Sequence, residues 1–323
     1  MKKTIIIATL KLFPLIAALS FSSVHAKETI NSLRVVTTVP PITNIVENIG
    51  GSMIEVTGIV PNGIDSHTFE PVPSDAKILA EADVIIVNGL GLEEPTIKLA
   101  EKVKKPDTPI LHLANDTLPN KEEWQYDFSF PKEQGYPNPH LWPNIVLTIQ
   151  YAKIVRDQLA KADPDHAHSF AVNAATYIAK LKQLDQAIFA CIDTIPENNR
   201  KLVTYHDSFA YFAPRYGMQI IAAIQPASFT EPGPREVMRI IAQIKKEKIP
   251  AIFGSEVFPS KIMEQIAHES GAKFVDELSD DELPEKPNPS FIGMMVNNIE
   301  IMTQALGGNP NCIGHVDSSN LSD

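Results

Sequence analysis

Two cysteines in 323 residues are too few for a disulfide framework or a four-thiolate metal site. Basic residues are also short, with 28 Lys and Arg against 39 Asp and Glu and a formal net charge of -11. Three of those cations, Lys2, Lys3 and Lys11, fall in the first 26 residues, so the remainder carries -14. That excludes a nucleic-acid partner, because binding phosphates requires a basic face. The carboxylate surplus instead suits a protein that holds cations or small neutral solutes. Glycine is scarce at 15 while proline reaches 26, and no internal repeat or low-complexity tract is visible. There is no HExxH helix and no CxxC pair, so any metal site has to be assembled from distant positions. What remains is ordinary globular composition, 44% hydrophobic and 21% charged, in a chain long enough for two domains.

The first residues read as an address. A basic start, Met1-Lys2-Lys3, precedes the apolar runs Ile5 to Leu10 and Leu12 to Leu19, and Ser23-Val24-His25-Ala26 supplies small residues for a signal peptidase. Lys11 interrupts the apolar stretch, which is short against the ~20 residues that a membrane span needs. Residues 1–26 are therefore expected to be a signal peptide cleaved after Ala26, and the mature protein to be periplasmic. No cysteine lies near that point to carry a lipid.

The rest shows an α/β rhythm with a helical interruption. Strands are predicted at Leu33 to Val39, Met53 to Val60, Asp83 to Gly89 and Pro109 to Leu113, with helices between them. Residues 143–195 carry almost no strand signal. After Asp163-Pro164, a helix N-cap followed by proline, Phe170, Tyr177, Leu181, Leu184, Ile188 and Ile192 recur at helical spacing, which predicts a rod of roughly 30 residues. Strand and helix then alternate again from Leu202 to Leu306. The expected architecture is α/β, two (β/α) lobes with parallel sheets bridged by a long rigid helix. The lobes are residues 27–142 and 196–308, the linker helices 143–195, and residues 309–323 a polar, mobile tail.

Nine histidines invite a metal reading, and most decline it. His25 leaves with the leader; His166, His168, His268 and His315 read as solvated; His112 lies inside a strand. Three differ in context. His67 sits in the loop past the second strand, and His206 directly follows the strand Leu202 to Tyr205, where open parallel sheets bind ligands. His140 stands in Pro137-Asn138-Pro139-His140, with two prolines restricting the backbone. Asp276, at the end of the strand Lys273 to Val275, is the expected fourth ligand. Asp280, Asp281 and Glu282 are close enough to compete with it. Three imidazoles and a carboxylate close a tetrahedral divalent-metal site without thiols.

Three segments resemble motifs of one family, the zinc/manganese solute-binding proteins of ABC importers (adhesin-like metal receptors). They are Ser66-His67-Thr68-Phe69-Glu70-Pro71, Asn138-Pro139-His140-Leu141-Trp142 and Tyr205-His206-Asp207-Ser208-Phe209-Ala210-Tyr211-Phe212. The resemblance implies one metal held between two lobes by His67, His140, His206 and an aspartate falling on Asp276, and delivery of that metal to an ABC-type membrane permease. The histidine-rich loop of many zinc receptors is missing, since 120–138 contains acids and no histidine. Three nitrogens and one oxygen favour Zn2+ as cargo, with Mn2+ the alternative. Asp207 and Glu256 are candidates to hold a ligand imidazole, and Trp142, Phe69, Phe209 and Phe229 to wall the ion. Cys191 and Cys312 could pair in an oxidising compartment. A monomer without catalytic activity is expected. The competing readings are a zinc hydrolase with a three-ligand open site and a metal-free surface adhesin.

Overall fold

The computed structural model describes residues 1, 32–225, 232–255, 261–284 and 289–322, so the leader and its cleavage point lie outside the described residues. The first lobe comprises β1 (Leu33–Thr37), α1 (Pro40–Gly50), β2 (Ile54–Gly58), α2 (Pro73–Glu81), β3 (Val84–Val87), α3 (Glu94–Val103), β4 (Ile110–His112) and α4 (Leu113–Thr117). Two long helices follow, α5 (Ile145–Ala162) and α6 (Ala167–Thr194). The second lobe comprises β5 (Lys201–Thr204), α7 (Phe212–Tyr216), β6 (Gln219–Ala223), α8 (Pro234–Glu247), β7 (Ala251–Phe253), α9 (Lys261–Ser270), β8 (Lys273–Val275) and α10 (Phe291–Ala305). Among these residues no helix is long and apolar enough to cross a membrane.

Each lobe holds a four-stranded parallel sheet, ordered β2-β1-β3-β4 in the first and β6-β5-β7-β8 in the second. The two α/β lobes with parallel sheets and the long helix are as the sequence predicts. In each sheet the strand order switches direction beside β1 or β5, which leaves a crevice at the carboxyl ends of the strands. Alternate strand residues serve different cores, as a two-residue period requires. Val35 and Ile86 face an inner core, while Val36, Ile85 and Val87 pack outward with Ile59, Leu79 and Ile97. In the second lobe Leu202 and Phe253 face inward, and Val203 and Ile252 outward against Ile240 and Ile244 of α8.

The inner core does not stop at the lobe boundary. It runs from Val35 through Tyr151 and Leu159 of α5 and Leu181 and Ile188 of α6 to Phe253, Phe291 and Ile299. Each such aliphatic side chain contributes about 1.5–3 kcal/mol when fully buried, so wide separation of the lobes would sacrifice much of the fold. The α6 rod begins as its sequence indicates. The Asp163 side chain accepts from the His166 backbone N–H over the turn Pro164–His166, and 28 helical residues follow, about 42 Å at 1.5 Å per residue.

The expectation of a mobile tail is corrected. Cys191 and Cys312 form a disulfide with Cα atoms 5.4 Å apart, fixing the tail to the end of α6. Ile313 is fully buried. Lys180 Nζ donates to the Ser319 carbonyl (2.6 Å) and pairs with Asp317 (2.9 Å). Asn320 Oδ1 accepts from Asn44 and Asn48 of α1, at 2.9 and 3.1 Å. The tail's polar composition is matched by specific partners on α1 and α6, which composition alone does not reveal.

Candidate metal centre

Each histidine is aimed by its own local structure. Asp65 Oδ1 accepts from the His67 backbone N–H (2.9 Å) and Asp65 Oδ2 from Thr68 Oγ1 (2.8 Å), a short side-chain-capped turn that sets the loop after β2. Asn138 Oδ1 accepts from the His140 backbone N–H (3.0 Å) and from His140 Nδ1 (2.8 Å). Asn88, at the end of β3, donates to the Pro139 carbonyl (2.9 Å) and itself accepts from Tyr151 (2.7 Å). His206 leaves β5 and donates from Nδ1 to Gln225 Oε1 (2.8 Å) at the end of β6. In His140 and His206 the proton therefore sits on Nδ1, and Nε2 carries a lone pair facing the cleft.

These lone pairs converge. His67 Nε2 and His206 Nε2 stand 3.1 and 3.0 Å from His140 Nε2. Asp281 Oδ1 lies 3.9 Å from His140 Nε2, and all four donor atoms fall within 4.8 Å of one another. His140 and Asp281 are buried, and among the described residues Asp281 Oδ1 has no hydrogen-bond partner, whereas Asp281 Oδ2 accepts from Ser66 Oγ. Burial, followed by repulsion from neighbouring imidazoles, holds His67 and His140 well below the ordinary imidazole range, so both rings stay neutral. Burial also opposes charging His206, but the charges of Asp280 and Asp281 outweigh it and raise its pKa. Asp281 is pushed up by burial and by Asp280. A bound dication would expel any proton held there.

The structure groups Asp281, not the expected Asp276, with the three histidines. Asp276 follows β8 and is exposed, while Val275 before it is buried. The chain continues inward from there. Asn298 of α10 grips both sides of Ser279, donating to its carbonyl (2.5 Å) and accepting from its N–H (2.9 Å). Trp142 Nε1 donates to the Asp280 carbonyl (2.8 Å), and the next residue, Asp281, points into the cleft. Proximity to the strand end does not bring Asp276 to the imidazoles, because the loop after β8 is anchored five residues beyond it.

The surroundings also differ from expectation. The Asp207 carboxyl faces Ser129 instead of an imidazole: its Oδ2 accepts from the Ser129 N–H (3.0 Å), and burial together with the neighbouring Asp127 carboxyl raises its pKa. Gln225 and Asn138 hold the imidazoles instead. For Asn138 the signal would have been a side-chain-capped turn just before His140, whereas Gln225 carried no local signal. Trp142 packs against His140 with ring centroids 5.1 Å apart, but the second ring is Phe130, 5.6 Å from His67 and 6.0 Å from His140. Phe209 is a core residue against Phe212 and Phe69 is packed on the core. Phe229 and Glu256 lie outside the described residues.

Residues 35–305 match the family described as zinc-uptake complex component A, periplasmic (ZnuA). The chain belongs to this family. Similar proteins include the manganese-binding lipoprotein MntA of Halalkalibacterium halodurans, 31% identical over 276 residues, 85% of this chain and 88% of that protein. The iron-binding protein YfeA of Yersinia pestis is 30% identical over 291 residues, covering 88% of this chain and 91% of that protein. Among solved structures, the periplasmic zinc-binding protein TroA of Treponema pallidum superimposes with a TM-score of 0.78 at 26% identity, over 85% of this chain and 99% of its own.

Proposed function

We propose that the protein captures a divalent metal ion between its lobes through His67, His140, His206 and Asp281 and delivers it to an ABC-type permease. Zinc is the first cargo and manganese the second. One observation carries this reading: His67 Nε2 and His206 Nε2 stand 3.1 and 3.0 Å from His140 Nε2, and all three lie within 4.8 Å of a buried carboxylate oxygen. Lone pairs so placed repel each other, and a dication at their centre converts the repulsion into attraction. A tetrahedral ion with ligands at ~2.05 Å has ligand–ligand edges of ~3.3 Å, close to this spacing. Imidazole-rich ligation favours zinc over manganese, which prefers more oxygen. Relatives named for manganese, iron and zinc share the family, so ligand chemistry rather than family membership supports the choice.

The function is binding without chemistry. A zinc hydrolase needs three protein ligands and an open water position, and four converging protein donors lend it no support. The family and the basic, apolar leader support export to the periplasm. In a chelator competition, alanine at His67, His140 or His206 lowers zinc affinity severely; wild-type affinity in all three defeats the assignment. Elemental analysis of the protein purified from its native periplasm identifies the cargo.

A further inference from the structure

We infer that residues 126–137 form a gate over the ion site, latched to the opposite lobe by Ser129, so that the ion exchanges by unlatching this segment rather than by separating the lobes. The inference rests on the metal-receptor reading of the same site. Lobe separation is opposed from several sides. The inner core is continuous through both lobes, and Asn44 Oδ1 on α1 accepts from the Phe291 N–H at the start of α10 (2.9 Å). Beside the cleft, Asn62 makes two hydrogen bonds to the backbone of Leu283, at 2.9 and 2.8 Å.

The gate segment is built differently. The Asn138 N–H donates to the Gln125 carbonyl (2.9 Å), closing a neck, and between those residues the helical structure is a single turn, Lys132–Gln134. Such a compact loop with joined ends can swing as a unit. Its outer side is exposed at Phe128 and Tyr136. Its inner side brings Phe130 against the rings of His67 and His140. From within the loop, the Asp127 carboxyl lies against Asp207, and Ser129 makes two hydrogen bonds to the far lobe: its N–H donates to Asp207 Oδ2 (3.0 Å) and its Oγ to the Gln225 carbonyl (2.5 Å). The other ties, Gln125 to the Tyr211 hydroxyl (3.1 Å) and Asn138 to the Asp207 carbonyl (2.7 Å), sit at the neck and need not break. Gln225 joins latch to ligand, since its side chain holds His206. Releasing Ser129 therefore uncovers two imidazoles and frees the support of the third, while the shared core stays intact.

Ser129 is thus a positioning residue whose signature is kinetic. In stopped-flow experiments on the mature chain, zinc uptake and zinc release to excess chelator are each expected to be at least tenfold faster in Ser129→Ala, with the dissociation constant within threefold of wild type. Phe130→Ala should accelerate both steps as well, and Phe130→Leu less. A merely structural role would speed release and leave uptake unchanged; that result, or wild-type rates in both variants, overturns the gate. Failure of the underlying reading looks different, because His140→Ala would then bind zinc like the wild type whatever Ser129 does.

Discussion

Replacing Asp281 by Asn tests the assignment of the fourth ligand. Asparagine keeps the side-chain size and can still accept from Ser66 Oγ, so the packing of this buried residue is preserved. What changes is the oxygen 3.9 Å from His140 Nε2, which loses its charge or is replaced by an amide N–H aimed at the ion. Removing a residue that merely supports a ligand costs ~10–100-fold in metal affinity. Loss of a ligand that also neutralises half of the dication's charge should exceed this, about 1,000-fold, or about 4 kcal/mol at 1.4 kcal/mol per decade. The metal-free protein should not suffer. A carboxyl whose pKa is raised by folding gives up stability as the pH climbs through that raised value, so the Asn variant should melt at or above the wild-type temperature at neutral pH. Competition against a zinc chelator of known affinity measures the loss, with Asp276→Asn as the parallel variant, expected within twofold of wild type. Wild-type affinity in Asp281→Asn, or an equal loss in Asp276→Asn, would refute the reasoning.

Asn138→Ala deletes the acceptor that serves both the backbone and Nδ1 of His140, and zinc should bind ~10–100-fold more weakly; unchanged affinity in the chelator assay would mean that the prolines alone aim the ring. Cys312→Ser opens a cross-link spanning 121 residues, for which chain entropy sets an upper limit of about 5 kcal/mol. Thermal melting should fall by several degrees, and a shift below one degree would show that the tail is held without it. Lys180 and Ser319 hold the Asp317 carboxyl down at about 2, against ~3.9 when unfolded. Its contribution is present above the unfolded value and lost as the pH falls from about 4 to about 2. The melting difference between wild type and Asp317→Asn should be small, as for exposed ion pairs, and vanish over that interval; a difference persisting at pH 2 would exclude this pair as its source.

Much of the frame was legible because periodicity is local. The apolar run Val84-Ile85-Ile86-Val87 has no polar face, so it reads as a strand covered on both sides, and it is one. Pro234 to Glu247 carries its own start signal and helical stripe and forms α8 over those residues. His67, His140 and His206 were legible because each sits in a constrained loop beside a strand end or a proline pair. Phe130 was not, since it lies in a loop with no regular pattern and its partners are 63 and 10 residues away.

From its sequence alone the chain determined its strands and helices, the kind of metal-ligating side chains it carries and the loops that bear them, because these follow from neighbours a few positions apart. Only the tertiary structure decided that Asp281 rather than Asp276 faces the imidazoles, that Gln225 holds His206, and that the polar tail is docked. Each of those outcomes depends on a partner brought near by folding (Asn298, Trp142 or Lys180, for example), and no local pattern encodes which partner that will be.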